Sequence, residues 1–231
     1  MRPAMAPVPA RYRGLWRRTL LQAGSLRDTA STVYWLQTEN WHADIRIPAG
    51  RPCFEGVSSL AQCSPAQRRF LATQQGFHGL TEVDTTTGTD ICRWHRLADF
   101  QPPALSPDAG VLRLDGDLLV ETGLHEDYLE HWERLSGSNQ DTRVLAQSGS
   151  GGALLLRAGD WAMRVFPRRA AWPGGLEAGT SLEAITAAGD AQAIALLDFE
   201  ISLAKITDMD WTVHHSTLPW LEGRVMLPVT A

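Results

Sequence analysis

The sequence predicts an all-β protein of two tandem barrel-like halves with short helices. Three observations carry this. Short runs of alternating hydrophobicity are broken by Gly, Pro, Asp and Asn clusters, the pattern of many short strands joined by turns. Nine tryptophans stand in 231 residues, and aromatic side chains favour strands over helices. Features of the first half also recur in the second in the same order, as a duplicated unit would give.

Strands are expected near 14–21, 32–38, 41–47, 79–84, 90–99, 110–114 and 117–121. A helix begins near Ser64, which can cap it, with Pro65 at the first helical position and Gly76 ending it. A second series follows near 128–135, 142–147, 153–157, 160–166, 191–197, 199–206, 211–215 and 224–229, interrupted by a helix near 181–188. Trp16-Arg17-Arg18 matches Trp132-Glu133-Arg134, Thr32 to Gln37 matches Thr142 to Gln147, and Trp41 to Pro48 resembles Trp161 to Pro167. The expected division is a flexible tail over 1–12, one barrel over 13–124 and a second over 125–231. Seven or eight up-and-down strands avoid open edges by closing. A barrel of about eight strands either holds one small ligand or fills itself with side chains.

Composition excludes several classes. Apolar residues are 44% and charged residues 20%, ordinary for a globular protein and unlike a disordered one. The net charge of -5, with only short basic clusters at Arg11, Arg13, Arg17, Arg18 and at Arg168, Arg169, argues against nucleic acid; these arginines read as solvated strand ends. No apolar run approaches the roughly 20 residues of a membrane span. Cys53, Cys63 and Cys92 are odd in number and lack CxxC spacing, so reduced thiols in the cytoplasm are expected, without zinc. No metal or other cofactor is expected. The 148–152 stretch fits neither a nucleophile elbow nor a dinucleotide fingerprint.

Candidate chemistry centres on 41–47. Alternation puts Trp41, Ala43, Ile45 and Ile47 on one face and His42, Asp44 and Arg46 on the other. If the polar face points inward, the barrel holds an acid, a base and a cation; if outward, it is a solvated face. His95 shares a face with Asp99 and is a candidate general base, against the plainer reading of a surface histidine. Glu121 is a third carboxylate candidate. The candidate catalytic residues are thus Asp44, Arg46, His95 and Glu121. The candidate ligand-binding residues are Trp16, Trp35, His42, Asp44, Arg46 and Trp94, where the tryptophans either line a pocket or fill it.

Gly14-Leu15-Trp16 resembles the Gly-x-Trp signal at the first strand of lipocalins and other calycins, in which the Trp plugs one barrel end and packs against a basic side chain. Further strings narrow the match: Val33-Tyr34-Trp35-Leu36-Gln37, Asp44-Ile45-Arg46-Ile47-Pro48, Gln75-Gly76-Phe77-His78-Gly79, Trp94-His95-Arg96 and Tyr128-x-Glu130-x-Trp132. Together these resemble the calycin-like family named for HRI-one, a fungal protein that interacts with a casein kinase. The resemblance implies two calycin-like barrels in tandem and no established chemistry. Binding of a small apolar ligand in the first barrel ranks first. A non-catalytic interaction scaffold ranks second, and a hydratase-, isomerase- or decarboxylase-type acid–base enzyme third. The expected partners are a small apolar molecule or another protein, including a second copy of the chain.

Overall fold

The computed structural model of the protein describes residues 5–149, 151–177, 179–187, 191–208 and 210–226. The first nine strands form one antiparallel sheet: β1 (Gly14–Ala23), β2 (Leu26–Asp28), β3 (Thr32–Gln37), β4 (Trp41–Ile47), β5 (Gln75–Asp84), β6 (Asp90–Asp99), β7 (Asp108–Asp115), β8 (Leu118–Gly123) and β9 (Leu129–Arg134). Among the described residues β2 pairs only with the end of β1. The other eight pair in chain order, and β9 returns to β1, so the sheet closes into an eight-stranded barrel. Between β4 and β5 lies α1 (Pro65–Thr73). The Ser64 hydroxyl accepts from the Gln67 N–H at 3.2 Å, and the Ser64 N–H donates to the Gln67 side chain at 2.8 Å, a reciprocal cap.

Two parts of the first unit depart from the sequence reading. The segment 129–134, expected at the start of the second half, is β9 and supplies the strand that removes the open edges of β1 and β8. The expected loose tail is packed over its described part, with Val8 and Tyr12 buried in the same cluster as Trp16. The Trp16 indole N–H donates to the Tyr12 carbonyl at 2.8 Å, and the Arg134 guanidinium lies over the indole at 5.0 Å. A plugging Trp under a basic side chain is what the Gly-x-Trp string implied.

The second half holds β10 (Thr142–Gln147), β11 (Leu154–Ala158), β12 (Trp161–Phe166), α2 (Leu182–Thr186), α3 (Ala191–Leu196), β13 (Glu200–Ile206) and β14 (Trp211–Ser216). Its strands form a five-stranded antiparallel sheet in chain order. Its helices fall between the third and fourth strands, as α1 does between β4 and β5 of the barrel. A second closed barrel was expected. Among the described residues no pairing joins β10 to β14, and this half remains an open sheet. Burial comes instead from stacking: Leu154, Leu156, Met163, Val165, Ile201 and Leu203 share one core with Leu15, Leu36, Ala43, Ile45 and Ile47 of the barrel wall.

Three smaller expectations also change. The stretch 191–197 was read as a strand; three alanines at alternate positions favour the helix, and Ala193 and Leu196, one turn apart, are its buried residues. Ser181 caps α2 as expected, while residue 188 lies outside the described residues. Of the strand expected over 224–229, Val225 makes one bridge to Thr212, and 227–229 lie outside the described residues. Arg168 is not a solvated strand end. Its guanidinium donates to the carbonyls of Leu196 at 2.7 Å, Asp99 at 3.0 Å and Phe100, tying the second unit to the first.

The two units meet closely at Gly76. A Cβ there would lie 2.4 Å from Ile201 Cδ1 and 2.5 Å from the Asp44 carbonyl oxygen. Gly76→Ala should therefore destabilise the protein by about 1–3 kcal/mol through overpacking, read as a lower urea midpoint. An unchanged midpoint would mean that the barrel and sheet are not in this contact.

Candidate functional site

Position two residues apart, and each barrel strand sends side chains inward in a ladder. On β4 the inward set is His42, Asp44 and Arg46, and the outward set, Ala43, Ile45 and Ile47, enters the core shared with the second sheet. Both faces of β4 are thus buried, and neither is the solvated face that the sequence left open. On β6 the inward set includes Cys92, Trp94 and Arg96, on β8 Leu119 and Glu121, and on β9 Glu130 and Trp132.

The middle of the barrel is filled. Trp35 stacks on Trp16 at 6.4 Å between ring centroids and meets Trp94 and Trp132 edge-on at 5.7 and 6.0 Å. Only about 10 Å³ remains among Trp35, Phe77, Trp94, Trp132 and the polar groups next to them. That void is too small for the expected apolar ligand, and Trp16 and Trp35 are held in the packed cluster.

Open space lies at the end of the barrel away from Trp16. A cavity of about 260 Å³ is bounded by Arg46, Arg96, Asp108, Tyr128 and Glu130, with Ser106, Pro107, His125 and Glu126 at its rim. Its charged groups are fixed on one another. Arg46 Nε donates to Asp44 Oδ1 at 2.8 Å, and its Nη1 lies 3.6 Å from Glu130 Oε1. Arg18 bonds Glu130 at 2.6 Å and Asp28 at 2.8 Å. Arg96 holds Asp108 and Asp99, both at 2.7 Å, with its guanidinium 3.7 Å from the centre of the Phe77 ring. Asp44 and Arg46 therefore do converge, as each other's ion-pair partners.

Glu121 completes the cluster. It stands opposite Glu130 in the β8–β9 register, and among the described residues no guanidinium pairs with it. It accepts from the Tyr128 hydroxyl at 2.8 Å and the Trp132 indole at 3.1 Å. Burial first, and the Glu130 charge second, push its pKa up to about 8. Gly110 and Gly123 make room for this arrangement. A Cβ on Gly110 would lie 3.1 Å from Glu121 Cγ, and one on Gly123 would lie 2.5 Å from the Tyr128 ring.

The histidines lie elsewhere. His95 is exposed on the outer wall, where it meets Glu82 at 3.2 Å, and Asp99 belongs to Arg96. A register shift between His78 and Gly79 in the β5–β6 pairing separates what simple alternation would have joined. His42 is buried toward the other end, bonded through Nδ1 to Thr81 at 2.9 Å, with Nε2 unpartnered among the described residues. Burial holds its pKa well below the usual value, so it is neutral. The residues that sequence reasoning missed are Arg96, Asp108, Tyr128 and Glu130. Period two carried the signal: Arg96 shares the face of Trp94, and Tyr128, Glu130 and Trp132 share one face of β9.

The proton on Glu121 has a stability consequence. A carboxyl whose pKa is raised on folding contributes stability below its ordinary value of 4.5, and that contribution is lost as pH rises through about 8. Glu121→Gln keeps the neutral form at every pH. The wild type should lose stability relative to Glu121→Gln between about pH 5 and 9, by on the order of a few kcal/mol, in denaturant titrations. A difference that stays constant over that range would mean that Glu121 is ionised in the fold.

No protein-family model and no curated protein matches the chain. Among solved structures it is similar to the uncharacterised protein YLR301w of Saccharomyces cerevisiae, with a TM-score of 0.53 and 12% identity over 88% of this chain and 84% of that one. At that identity the likeness shows a shared fold and carries no chemistry.

Proposed function

We propose that this protein is a small-molecule-binding protein whose site is the mouth of the first barrel, and that the ligand is polar rather than apolar. The observation that carries this is the 260 Å³ cavity lined by Arg46, Arg96, Asp108 and Glu130 in fixed ion pairs, with the tryptophan cluster filling the barrel beyond it. Desolvated charges are costly to maintain for stability alone, and such clusters beside a cavity mark binding sites. The exposed large apolar side chains lie on β2 (Leu26), β6 (Leu97), β10 (Val144 and Leu145) and β12 (Phe166) and in connecting segments (Leu105, Leu124 and Val225), and this spread favours this reading over an interaction scaffold.

The closed barrel and the Arg134-covered Trp16 support a calycin-like assignment, and the HRI-one-type family is the narrower one we propose from the sequence strings. The common strand order around the helices supports descent of the second sheet from a duplicated unit. Three free cysteines support a cytoplasmic location. A second, enzymatic reading rests on Glu121: a carboxyl kept protonated among Asp44, Arg46 and Asp108, at a small void inside the barrel, is suited to general-acid chemistry.

Native mass spectra of the freshly purified protein, compared with its denatured mass, test the binding reading. Extra mass that disappears on denaturation, and that Ala23→Trp prevents by filling the cavity whatever the ligand's charge, is the expected result. Extra mass retained in full by Ala23→Trp would move the site away from the barrel mouth.

A further inference from the structure

The mouth has a surplus of negative charge. Arg18, Arg46 and Arg96 pair with five carboxylates, Asp28, Asp44, Asp99, Asp108 and Glu130. Glu126 adds a sixth at the exposed rim. Of these, Arg46, Arg96, Asp108, Glu126 and Glu130 line the cavity itself, so its wall carries two guanidiniums against three carboxylates.

The hydrogen bonds sharpen this. Both Arg96 bonds to Asp108 end on Oδ2, at 3.0 and 2.7 Å. Both guanidiniums at Glu130 approach Oε1. Among the described residues no donor is paired with Asp108 Oδ1 or Glu130 Oε2. The two carboxylates on the cavity wall thus each keep an acceptor oxygen in reserve, while the arginines beside them are committed to acids. An anion entering here would meet the surplus of like charge and would have to draw Arg46 or Arg96 away from a partly buried carboxylate, leaving that carboxylate unpaired. An N–H-rich cation meets neither obstacle, and charge-assisted bonds to two carboxylates are strong in a recessed site.

We infer that the barrel mouth binds a small organic cation, a primary amine or a group with similar N–H donors, whose positive charge is held by Asp108 and Glu130. This rests on reading the mouth as the ligand site.

The test uses three probes of one shape and three charges, butylammonium, butanol and butanoate, titrated into the intact protein by calorimetry at pH 7 and constant ionic strength. Butylammonium should bind saturably and the others should not. Glu130→Gln and Asp108→Asn should each weaken it by about tenfold or more, and Glu126→Gln by less, since that side chain sits at the exposed rim. If either of the Asp108 and Glu130 variants fails to fold, the ranking of the probes on the wild type, together with Glu126→Gln, still decides. Tighter binding of butanoate, abolished by Arg46→Ala, would overturn the cation and keep the mouth as the site. Butylammonium binding unaffected by any carboxylate substitution would overturn the mouth itself. The absence of saturable binding by all three would overturn the cation inference, leaving native mass spectra to judge the site.

Discussion

The pairing of β9 with β1 is the contact on which the rest of the molecule depends. It converts a run of antiparallel strands into a closed barrel, and closure is what gives the strands an inside. β9 then furnishes three levels of that inside from alternate positions. Arg134 covers Trp16 near one end, Trp132 joins the tryptophan cluster in the middle, and Glu130 receives Arg18 and Arg46 at the mouth. A one-residue slip of this strand would turn all three outward together. The bulge between Arg18 and Leu20 lies in this same pairing, next to the guanidinium that holds Glu130.

β4 carries the second constraint, because it is buried on both sides. Its outward residues Ala43, Ile45 and Ile47 are covered by the second sheet, and its inward residues serve the barrel. An antiparallel strand with one wet face reads as alternating, and β4 alternates. Its polar half faces a charged interior in place of water. The sheet that hides its other half packs at Gly76, where a side chain would not fit. The second unit therefore braces the wall from which Asp44 and Arg46 project, although none of its described residues lines the mouth cavity.

Strand positions were legible in the sequence because period-two alternation and turn residues are local signals. The helix after β4 was legible from Ser64 and Pro65 for the same reason. The closure of the barrel was not, because which strand pairs with β1 is a non-local fact; Tyr128, Glu130 and Trp132 looked like the start of a new unit. The apolar run 191–197 was ambiguous by nature, being short and free of β-branched residues except Ile194. At the site, Asp44, Arg46 and Glu121 were legible as residue types on one face. Arg96 was hidden behind His95, which draws attention as a titratable group yet lies on the opposite face. The tryptophans were legible as barrel residues, but whether they line or fill depends on packing volume, which alternation does not report.

That packing also explains why the mouth can be so polar. A barrel of eight strands that left its centre hollow would expose charged groups to a column of water, where ion pairs contribute little. Here the tryptophan floor excludes that column, and the ion pairs above it sit in a recess of lower dielectric. In that setting burial first, and the charge of Glu130 opposite it second, keep the proton on Glu121, whose neutral carboxyl still accepts from Tyr128 and Trp132. One uncharged acid, two acids with idle oxygens and three committed guanidiniums follow from a single cause: more carboxylates than arginines gathered over a dry floor.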